Sequence, residues 1–472
     1  MKLSLVHHFQ KENIPQIFFF EKKEGVTRIL FGNKREIPEE YVLNKNVAFI
    51  PKTSEKEIAV LLKGRGLDFF EQLRLSGFEL LSFAKNYRLN KIYIDFQNAK
   101  EQEFQALVEG LLLATYSFDR YKSEPEEKFV VEVFIKTSET WNAESIKNIA
   151  ETEFKYVSLA KDLINTTGSD LTPQIFVDKV QEIAEPLGIQ ILIRNKTDLE
   201  KENFNGLLTV GKGSSFEPYM VTLSYSPKTS SEKHLALVGK GITFDTGGLS
   251  LKPAARMAEM VSDMAGAASV FASICAIAEL QIPLKVTAVL CLAENRIGSG
   301  AVLPGDIFKA KNGKTVLVDN TDAEGRLILT DGLFEASRVF ATHVIDMATL
   351  TGAMVRALGT SVAGYFANED SFADLIFNAG KSVGEKFWRM PLEQEYAYSL
   401  KGTFSDLKNT GLAEGGSICA ALFLSEFVKK NTAWSHLDIA GTAFTTKKWK
   451  YTTYGATGFG IKTLIQVAKD LA

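Results

Sequence analysis

The chain has 472 residues, more than a single hydrophobic core usually supports, so we expect two domains. Its hydrophobic content of 45% and charged content of 24% are ordinary for a globular protein. The 54 basic and 57 acidic residues leave a formal net charge of -3, without the excess of one sign that would draw nucleic acid or an anionic membrane.

Cysteine usage and the absence of long apolar runs bear on the compartment. Cys275, Cys291 and Cys419 lie far apart inside apolar patterns and form no CxxC pair, which is typical of buried free thiols in a reducing cytosol. The N-terminal stretch contains no apolar run long enough for a signal peptide, and no run of about 18 apolar residues occurs anywhere. We therefore expect a soluble cytoplasmic protein with no membrane partner.

Residues 1–140 alternate strand and helix patterns, which predicts a separate N-terminal α/β domain. The strand candidates are IPQIFFFEK, VAFIPK, KIYIDF and KFVVEVFIK, and the helix candidates are DFFEQLRLSGFELLSFAKNY and KEQEFQALVEGLLLATYSF. His7 and His8 are the only histidines in this part, and such a pair near a terminus is more typical of a solvated face than of a metal site.

Residues 141–165 form one long amphipathic pattern, apolar at Ile146, Ile149 and Val157 among others, which predicts a connecting helix. Beyond it, residues 166–472 should form the larger domain. Its strand candidates are IQILIRN, PYMVTLSYS, HLALVGK, PLKVTAVLCLA, TVLVDN, THVIDMAT and SHLDIAGT. Several are wholly apolar and are separated by helix patterns, which predicts a mostly parallel sheet covered on both faces.

The most informative stretch is KTVLVDNTDAEGRLILTDGLFEASRVF, which reads as strand, loop and helix. Loops that leave the carboxyl ends of parallel strands line the ligand crevice of an open α/β sheet. In an extended segment, side chains two residues apart point the same way, so Asp322, Glu324 and Arg326 could project together. Taken alone, DxExR is more typical of a solvated loop with a surface ion pair.

A second stretch, LALVGKGITFDTGGLSLKPAARMAEMVSDMAGAASV, also follows a strand pattern with a glycine-rich turn. It carries Lys240, Asp245, Lys252 and Asp263, and its glycines permit positive φ and close approach of the backbone to a ligand. Residues 206–212 also fit GxxxxGK, but no Ser or Thr follows and no strand-to-helix context surrounds them, so we reject a phosphate loop.

Four carboxylates from these two stretches would repel one another strongly in one crevice unless cations were bound there. Hard oxygen ligands without Cys or His suit Mn, Mg, Zn or Co. Lys240 is open to two interpretations: an ion-pair partner of Asp245, or a neutral amine ligand whose pKa is depressed by nearby dications. His234, His343 and His436 stand at the starts of strand candidates and are interpreted as structural.

The octapeptide NTDAEGRL stands unbroken at residues 320–327, with GKGITFDTGG, MVSDMAGAA, TLTGA, GGSICAALFLSEFV, HLDIAGTAF and GATGFGI around it. On these motifs the chain resembles the leucyl aminopeptidase (cytosol aminopeptidase) family over most of its length beyond about residue 155. EGLLLATYSFDRYKS extends the resemblance into the first domain. The turn at residues 166–168 departs from a proline-containing version in many members, and we interpret that departure as structural.

The resemblance implies an enzyme that releases N-terminal residues, preferably large apolar ones such as Leu, from peptides with a free N-terminus. It also implies a homohexamer of two trimers whose active sites face an interior cavity, with a smaller N-terminal domain that helps assembly and shapes access. Its cofactors would be two divalent metal ions per subunit, Mn or Zn with Mg or Co as alternatives, and a bicarbonate ion.

The resemblance also assigns roles to residues. One metal would be held by Lys240, Asp245, Asp263 and Glu324, and the other by Asp245, Asp322 with its main-chain carbonyl, and Glu324. Lys252 would contact the scissile carbonyl oxygen, and Arg326 would hold the bicarbonate that acts as general base. Two cations beside a neutralised metal pair are suited to stabilising a developing oxyanion.

An apolar side-chain pocket is expected from Met260, Thr349 and Ala440, with Leu350 offering main-chain groups to the substrate. Met260 fits a role as core filler nearly as well. Three other functions were weighed: sequence-specific DNA binding, as in some bacterial relatives; an inactive scaffold, although every expected metal and catalytic position is present; and a dinuclear phosphoesterase. The near-neutral charge makes nucleic acid an unlikely partner.

Overall fold

A computed structural model describes residues 1–6, 16–23, 26–31, 47–50, 57–61, 68–125, 129–138, 140–448, 450–452 and 454–472 of the chain. The described residues form two compact units. The first contains those up to Lys155 together with Lys450 and Tyr451, and the second contains the remainder from Tyr156. His7 and His8 lie outside the described residues.

The first unit is an α/β unit with a seven-stranded sheet. Its elements are β1 (Lys2–Val6), β2 (Gln16–Lys23), β3 (Val26–Phe31), β4 (Val47–Ile50), β5 (Glu57–Leu61), α1 (Phe69–Asn86), β6 (Lys91–Phe96), α2 (Glu101–Leu113) and β7 (Glu132–Thr137). The strand order is β1-β7-β6-β2-β5-β4, with β3 beside β2. Only β3 and β4 run antiparallel to their neighbours.

Sequence patterns explain both kinds of element in this unit. In KIYIDF every second residue is buried, at Ile92, Ile94 and Phe96, as expected for a strand with one covered face. Helix α1 begins after Asp68, whose carboxylate accepts the main-chain N–H of Glu71 at 2.9 Å and so caps the helix. The predicted α/β nature of this part is confirmed.

Helix α3 (Ala143–Asn165) contains the division between the two units. The second unit continues with α4 (Pro173–Ala184), β8 (Gln190–Arg194), α5 (Lys196–Glu202), α6 (Asn205–Gly211), β9 (Tyr219–Tyr225), β10 (His234–Asp245), α7 (Ala265–Glu279), β11 (Lys285–Asn295), β12 (Ile307–Lys309), β13 (Thr315–Leu317), α8 (Glu324–Arg338), β14 (His343–Ala348), α9 (Gly352–Leu358), β15 (Ala363–Ala367), α10 (Asp370–Ser382), β16 (Phe387–Arg389), β17 (Leu407–Lys408), α11 (Gly416–Ser425), β18 (Ala433–Asp438), β19 (Phe444–Thr445), β20 (Gly455–Ala456) and α12 (Ile461–Leu471). Short 3-10 helices occupy Glu185–Leu187, Met257–Met264 and Gln394–Leu400.

The centre of the second unit is an eight-stranded sheet in the order β16-β15-β18-β14-β10-β11-β9-β8. Strands β18, β14, β10 and β11 are mutually parallel, and β16 is parallel to β15. Strand β10 is buried along nearly its whole length because both faces are covered: Leu235 and Leu237 belong to one hydrophobic cluster, Ala236 and Val238 to the other. The prediction of a mostly parallel central sheet is confirmed.

The strand TVLVDN is predicted correctly as a strand, but its place is wrong. As β13 it pairs with β12 and β17 in a separate three-stranded sheet. The sequence analysis also missed β15 and β16 at one edge of the central sheet, because such short apolar segments carry little pattern.

The three cysteines, Cys275, Cys291 and Cys419, are free and buried, as predicted.

Among the described residues one helical segment, Met257–Glu279, is long and apolar enough to cross a membrane. Of its most apolar stretch of 18 residues, 89% is buried inside the protein.

Candidate metal centre

The site lies at the carboxyl ends of β10 and β14. Along the chain, β10 leads to β11 on one side, whereas β14 leads to β18 on the other, so the direction of sheet growth reverses between β10 and β14. Ligands of open α/β sheets bind at such a reversal, outside the carboxyl ends of the strands. Asp245 ends β10, and Thr349 follows directly after β14.

Lys240 is buried on β10 and joins three segments. Its Nζ lies 2.8 Å from Asp263 Oδ1 and 3.0 Å from Glu324 Oε1, and it donates to the carbonyl of Thr349 at 2.9 Å. Burial opposes its charge, but Asp263, Glu324 and Asp245 together raise the pKa of Lys240 above its ordinary value. Lys240 is thus ion-paired with Asp263 and Glu324, whereas Asp245, the partner considered from the sequence, pairs with Lys252.

Lys252 connects the glycine-rich turn to the second motif. Its Nζ lies 2.6 Å from Asp245 Oδ2 and 2.5 Å from Asp322 Oδ1. The other oxygen of Asp245 accepts the main-chain N–H of Gly247, where φ is +85°, and the amide of Asn295, both at 2.8 Å. The turn thus needs glycine for its conformation and delivers the Asp245 carboxylate to the crevice.

The sequence analysis placed Asp322, Glu324 and Arg326 in one extended segment, and this prediction is wrong for Glu324 and Arg326. Glu324 is the first residue of α8, and Arg326 belongs to its first turn. The helix begins so close to β10 that a Cβ on Gly325 would lie 2.6 Å from Cε of Lys240. A helix N-terminus favours negative charge, which suits the buried Glu324 carboxylate.

The carboxylates have an arrangement that a metal would satisfy. One oxygen each from Asp245, Asp322 and Glu324 lie within 4.8 Å of one another. Asp263 Oδ2 and Glu324 Oε2 are buried without a hydrogen-bond partner. Buried carboxylate oxygens without partners are costly, and divalent cations with oxygen ligands would compensate them. The residues therefore fit a metal centre.

Electrostatic effects within the cluster point the same way. Burial raises the pKa of Asp263 well above its ordinary value, and the neighbouring Glu324 and Asp245 raise it further against the opposing effect of Lys240. Burial and the Glu324 charge likewise raise the pKa of Asp245. For Glu324 itself, Lys240 and Lys252 outweigh burial and lower the pKa. Negative charge is in excess here, as it is in sites that receive cations.

Arg326 presents a cation with spare donor capacity. Its Nη1 donates to the carbonyl of Asn409 at 2.6 Å, while its Nε is buried without a partner. Burial lowers the pKa of this guanidinium despite the opposing charge of Glu324. An anion bound beside Nε would accept its hydrogen bond and would stabilise the charged guanidinium.

The predicted pocket residues lie on loops around the site. Thr349 donates its hydroxyl to Asp263 Oδ1 at 2.8 Å. The main-chain N–H groups of Leu350 and Ala440 each donate to Asp438 Oδ1 at 3.2 Å, which ties the loops after β14 and β18 together. Met260 is half-buried in the 3-10 helix that carries Asp263.

Three residues were missed by the sequence analysis. Asn295 bridges Asp245 Oδ1 and the carbonyl of Thr321 at 2.8 and 3.0 Å, Asn409 contacts the segment around Asp322, and Asp438 holds the pocket loops. The signal available for Asn295 and Asp438 was their position at the carboxyl ends of predicted parallel strands. For Asn409 the sequence carried no comparable signal.

The three histidines that the structure describes, His234, His343 and His436, are buried or half-buried along the central sheet. His234 and His343 are the first residues of β10 and β14, as predicted. His436 instead lies inside β18, where its Nδ1 is 2.5 Å from Asp346 Oδ1, so its predicted place at a strand start is wrong.

A crevice of buried carboxylates and lysines at the switch point of an α/β sheet defines the class of metal-dependent hydrolases with oxygen-rich sites. Residues 158–465 match the model of the cytosol aminopeptidase family, catalytic domain, and the chain belongs to this family. The protein is therefore a metal-dependent aminopeptidase, a hydrolase of the metallo-exopeptidase type.

Relatives and solved structures agree with this assignment. A probable cytosol aminopeptidase of Solibacter usitatus is 41% identical over 418 residues, 87% of this chain and 86% of the relative. One of Geobacter sulfurreducens is 41% identical over 367 residues, 77% of this chain and 74% of the relative. A mutant of tomato leucine aminopeptidase is similar with a TM-score of 0.88 and 28% identity, covering 100% of this chain and 96% of the other. The bottromycin maturation enzyme BotP in complex with Mn has a TM-score of 0.86 and 30% identity, covering 97% and 99%.

Proposed function

We propose that the protein removes N-terminal residues, preferably large apolar ones such as Leu, from peptides, by attack of a water activated between two metal ions. The observation that carries this proposal is the set of buried carboxylate oxygens without protein partners, Asp263 Oδ2 and Glu324 Oε2, beside the cluster of Asp245, Asp322 and Glu324. Once Lys240 is a neutral amine, four carboxylates face only the charge of Lys252, and one dication would not neutralise that excess whereas two would.

The residues proposed to hold the metals are those that the family resemblance implies, and the contacts support them. Lys240, as a neutral amine once bound dications lower its pKa, would join Asp245, Asp263 and Glu324 at one ion; its Nζ already contacts two of these carboxylates. Asp245, Asp322 through its carboxylate and main-chain carbonyl, and Glu324 would hold the other. Two bound dications supply a water of lowered pKa and polarise the scissile carbonyl. Oxygen ligands suit Mn, Zn, Mg and Co, and Mn is the metal named with the BotP structure.

Lys252 has the position and charge for an oxyanion donor. Its side chain is 20% exposed, so the ammonium reaches the crevice while Asp245 and Asp322 fix it there. Burial lowers the pKa of Lys252, but the nearby carboxylates more than offset this and keep it cationic. It would donate to the carbonyl oxygen as negative charge develops, and the reaction adds water across the C–N bond to release the free amino acid and the shortened peptide.

Arg326 is the residue that would hold bicarbonate, because its Nε is buried without a partner. A bicarbonate ion held there would supply a general base for the proton of the attacking water. No histidine lies among the carboxylates and lysines whose contacts form the described site, so this role has no competing side chain of that type.

Substrate choice would depend on the loops after β14 and β18. Thr349, Ala440 and Met260 offer an apolar pocket for the first side chain, and Leu350 offers main-chain groups to the peptide. Thr349 is well suited to this place because its carbonyl and hydroxyl are already fixed by Lys240 and Asp263. The free α-amine of the substrate would bind a metal ion, which explains a requirement for an unblocked N-terminus.

The wider setting is proposed from the family. Residues 1–140 would form the domain that shapes access, 141–165 the connecting helix and 166–472 the catalytic domain; the family match over 158–465 supports the last of these. The relatives are named cytosol aminopeptidases, which supports a cytoplasmic location. A homohexamer is the assembly that the resemblance implies.

The test is hydrolysis of a leucyl anilide by chelated protein to which Mn or Zn is returned, beside the N-acetylated substrate and the Asp322→Ala variant. Turnover should need the metal, the free α-amine and Asp322, and should exceed turnover of glycyl and glutamyl anilides. If the metal-loaded protein cleaves no aminoacyl anilide but hydrolyses phosphate esters, the site is a phosphoesterase. If it does neither but shifts DNA at physiological salt, a binding function replaces the proposal.

A further inference from the structure

We propose that Asn409 is a positioning residue of the metal centre: its side chain fixes the main chain of residues 319–323, and its carbonyl fixes Arg326. The inference rests on the proposed function, since it concerns the segment that carries Asp322 and leads to Glu324. Asn409 lies directly after β17 and is completely buried.

The side chain of Asn409 uses its full hydrogen-bonding capacity on this one segment. Its Oδ1 accepts the main-chain N–H groups of Asp319 and Asn320 at 2.8 and 3.2 Å. Its Nδ2 donates to the carbonyls of Asn320 and Ala323 at 2.7 and 3.3 Å. An amide has two acceptor sites and two donors, so all four are engaged.

The main chain of Asn409 also holds the guanidinium of Arg326. Its carbonyl accepts Nη1 of Arg326 at 2.6 Å, and its N–H donates to the carbonyl of Leu317 at 3.0 Å. The pairing of β17 with β13 sets Asn409 in register beside the strand that precedes the segment. Asn409 therefore contacts the end of β13, residues 319–323 and the guanidinium of Arg326.

Other contacts hold this segment as well: Asp322 donates its main-chain N–H to Asn320 Oδ1 at 2.8 Å, and Asn295 donates its amide to the carbonyl of Thr321 at 3.0 Å. The segment lies between β13 and α8 without regular structure, so its main-chain groups need partners from elsewhere. On its other side Thr321 is held by the glycine-rich turn, through Ser250 Oγ to its N–H at 3.1 Å and its own hydroxyl to the carbonyl of Gly247 at 2.6 Å. Asn409 and the turn hold the segment from two sides, and Asp322 lies between these anchors.

The chemistry of the amide distinguishes positioning from space filling. Aspartate has the same shape as asparagine, but it would place an oxygen where Nδ2 now faces the carbonyls of Asn320 and Ala323. Those two carbonyls would lose their donor and meet a like partial charge. Asn409→Asp should therefore distort the segment although it leaves the packing volume unchanged.

The experiment compares Asn409→Asp and Asn409→Ser with a control at a more exposed amide, Asn368→Asp. Asn368 also joins main-chain segments through its amide, accepting the N–H of Trp434 at 2.8 Å and donating to the carbonyl of Thr432 at 2.9 Å, at the end of β15. Affinity of the chelated proteins for Mn²⁺ is measured by competition with a fluorescent chelator. The constants kcat and KM for leucyl anilide and the midpoint of thermal unfolding are measured in parallel.

Both Asn409 variants should lose about 10- to 100-fold in Mn²⁺ affinity or in kcat, with KM changed less, since Asn409 contacts none of the pocket residues named above. Asn368→Asp should lower the unfolding midpoint while leaving affinity and kcat within about twofold of the wild type. If Asn409→Asp does not fold, Asn409→Ser carries the test. Wild-type affinity and kcat in either folded Asn409 variant would overturn the inference. Losses of affinity and kcat that merely scale with the fall in the unfolding midpoint would also overturn it.

This design separates the inference from the proposed function. Affinity for Mn²⁺ is read without any turnover. A wild type that binds Mn²⁺ but hydrolyses no aminoacyl anilide would end the proposed function, while weaker Mn²⁺ binding by the Asn409 variants would still uphold the positioning role.

Discussion

Two clusters of buried charge in the described part of the chain differ in how their carboxylate oxygens are satisfied. In the first unit, Arg74 lies 2.5 Å from Glu109 Oε2 and 3.0 Å from Glu71 Oε2. Lys450 and the hydroxyl of Tyr451 contact the other oxygen of Glu71, and Gln105 donates to the other oxygen of Glu109 at 3.0 Å. Each carboxylate oxygen of this cluster has a partner, whereas Asp263 Oδ2 and Glu324 Oε2 of the metal centre have none.

The charges of the two clusters differ in the same sense. Two cations face two carboxylates in the first unit, and Lys450 and Arg74 lower the pKa of Glu71 against the effect of burial. In the metal centre two lysines face four carboxylates, and the pKa values of Asp245 and Asp263 are raised. A complete cluster stabilises a fold, while an incomplete one is suited to a ligand that completes it.

The largest effect is expected when one carboxylate of the metal centre is neutralised. Glu324→Gln should lower kcat/KM for leucyl anilide by about 10³-fold or more, because losing metal ligation removes several kcal/mol of transition-state stabilisation. The unfolding midpoint of the metal-free protein should fall less than in the corresponding variant of the first unit's cluster, because Asp263 still pairs with Lys240 at 2.8 Å. A variant that keeps its activity would show that Glu324 is not a ligand.

The same substitution in the complete cluster should have the opposite result. Glu71→Gln removes the partner of Arg74 and Lys450 and should destabilise the protein by about 3 to 5 kcal/mol, measured as a shift in the urea midpoint. The kcat of the folded fraction should stay at the wild-type value. Glu109→Gln serves as a second variant of the cluster. If the wild type, Glu71→Gln and Glu109→Gln are equally stable, the cluster does not stabilise the fold.

Metal addition sharpens the contrast further. Mn²⁺ at about 100 times its dissociation constant should stabilise the wild type by roughly 2.7 kcal/mol, because it binds the folded state. Glu71→Gln should show the same increment on its lower baseline, and Glu324→Gln should show little or none. Thermal unfolding with and without Mn²⁺ measures this, and an equal increment in all three proteins would place the metal outside the proposed site.

How much of this could be predicted from sequence depends on the range of the interactions involved. Strands β10 and β11 are long, largely apolar runs, and their local pattern was sufficient. Strands β14 and β18 are shorter, and β18 begins earlier than its pattern indicated. The octapeptide at 320–327 identified the family and the acidic residues together. These are properties of contiguous residues, which a single sequence displays directly.

What the sequence did not predict depends on partners far along the chain. Strand β13 belongs to a separate sheet because Val316 pairs with Leu407, a register that no local pattern encodes. Asn409 likewise supports a segment about ninety residues earlier, and Lys450 completes a cluster around Glu71. The start of α8 at Glu324 was missed because polar residues at a helix N-terminus resemble a loop.

A third buried pair, His436 with Asp346, tests the same reasoning at smaller scale. Burial alone would lower the pKa of His436, but the Asp346 charge and hydrogen bond raise it above the ordinary value. The folded state therefore favours the imidazolium, and its stabilising contribution is complete below the ordinary histidine pKa of about 6.5 and is lost as the pH rises through the folded value. The difference in free energy of unfolding between wild type and His436→Gln should thus shrink, by on the order of 1 kcal/mol, between pH 6 and pH 9.

Urea midpoints across that range measure the effect, and Asp346→Asn is the control. Without the Asp346 charge the imidazolium keeps only the smaller favourable effect of Asp438, which Arg326 opposes, so the pH dependence attributed to His436 should largely disappear in that variant. Since Trp434 also donates to Asp346, at 2.7 Å, the variant keeps an acceptor for the indole if its amide oxygen faces Trp434. A wild-type pH profile in Asp346→Asn would mean that the buried carboxylate does not set the titration of His436, and that contact with a buried carboxylate is no guide to which protonation state folding favours.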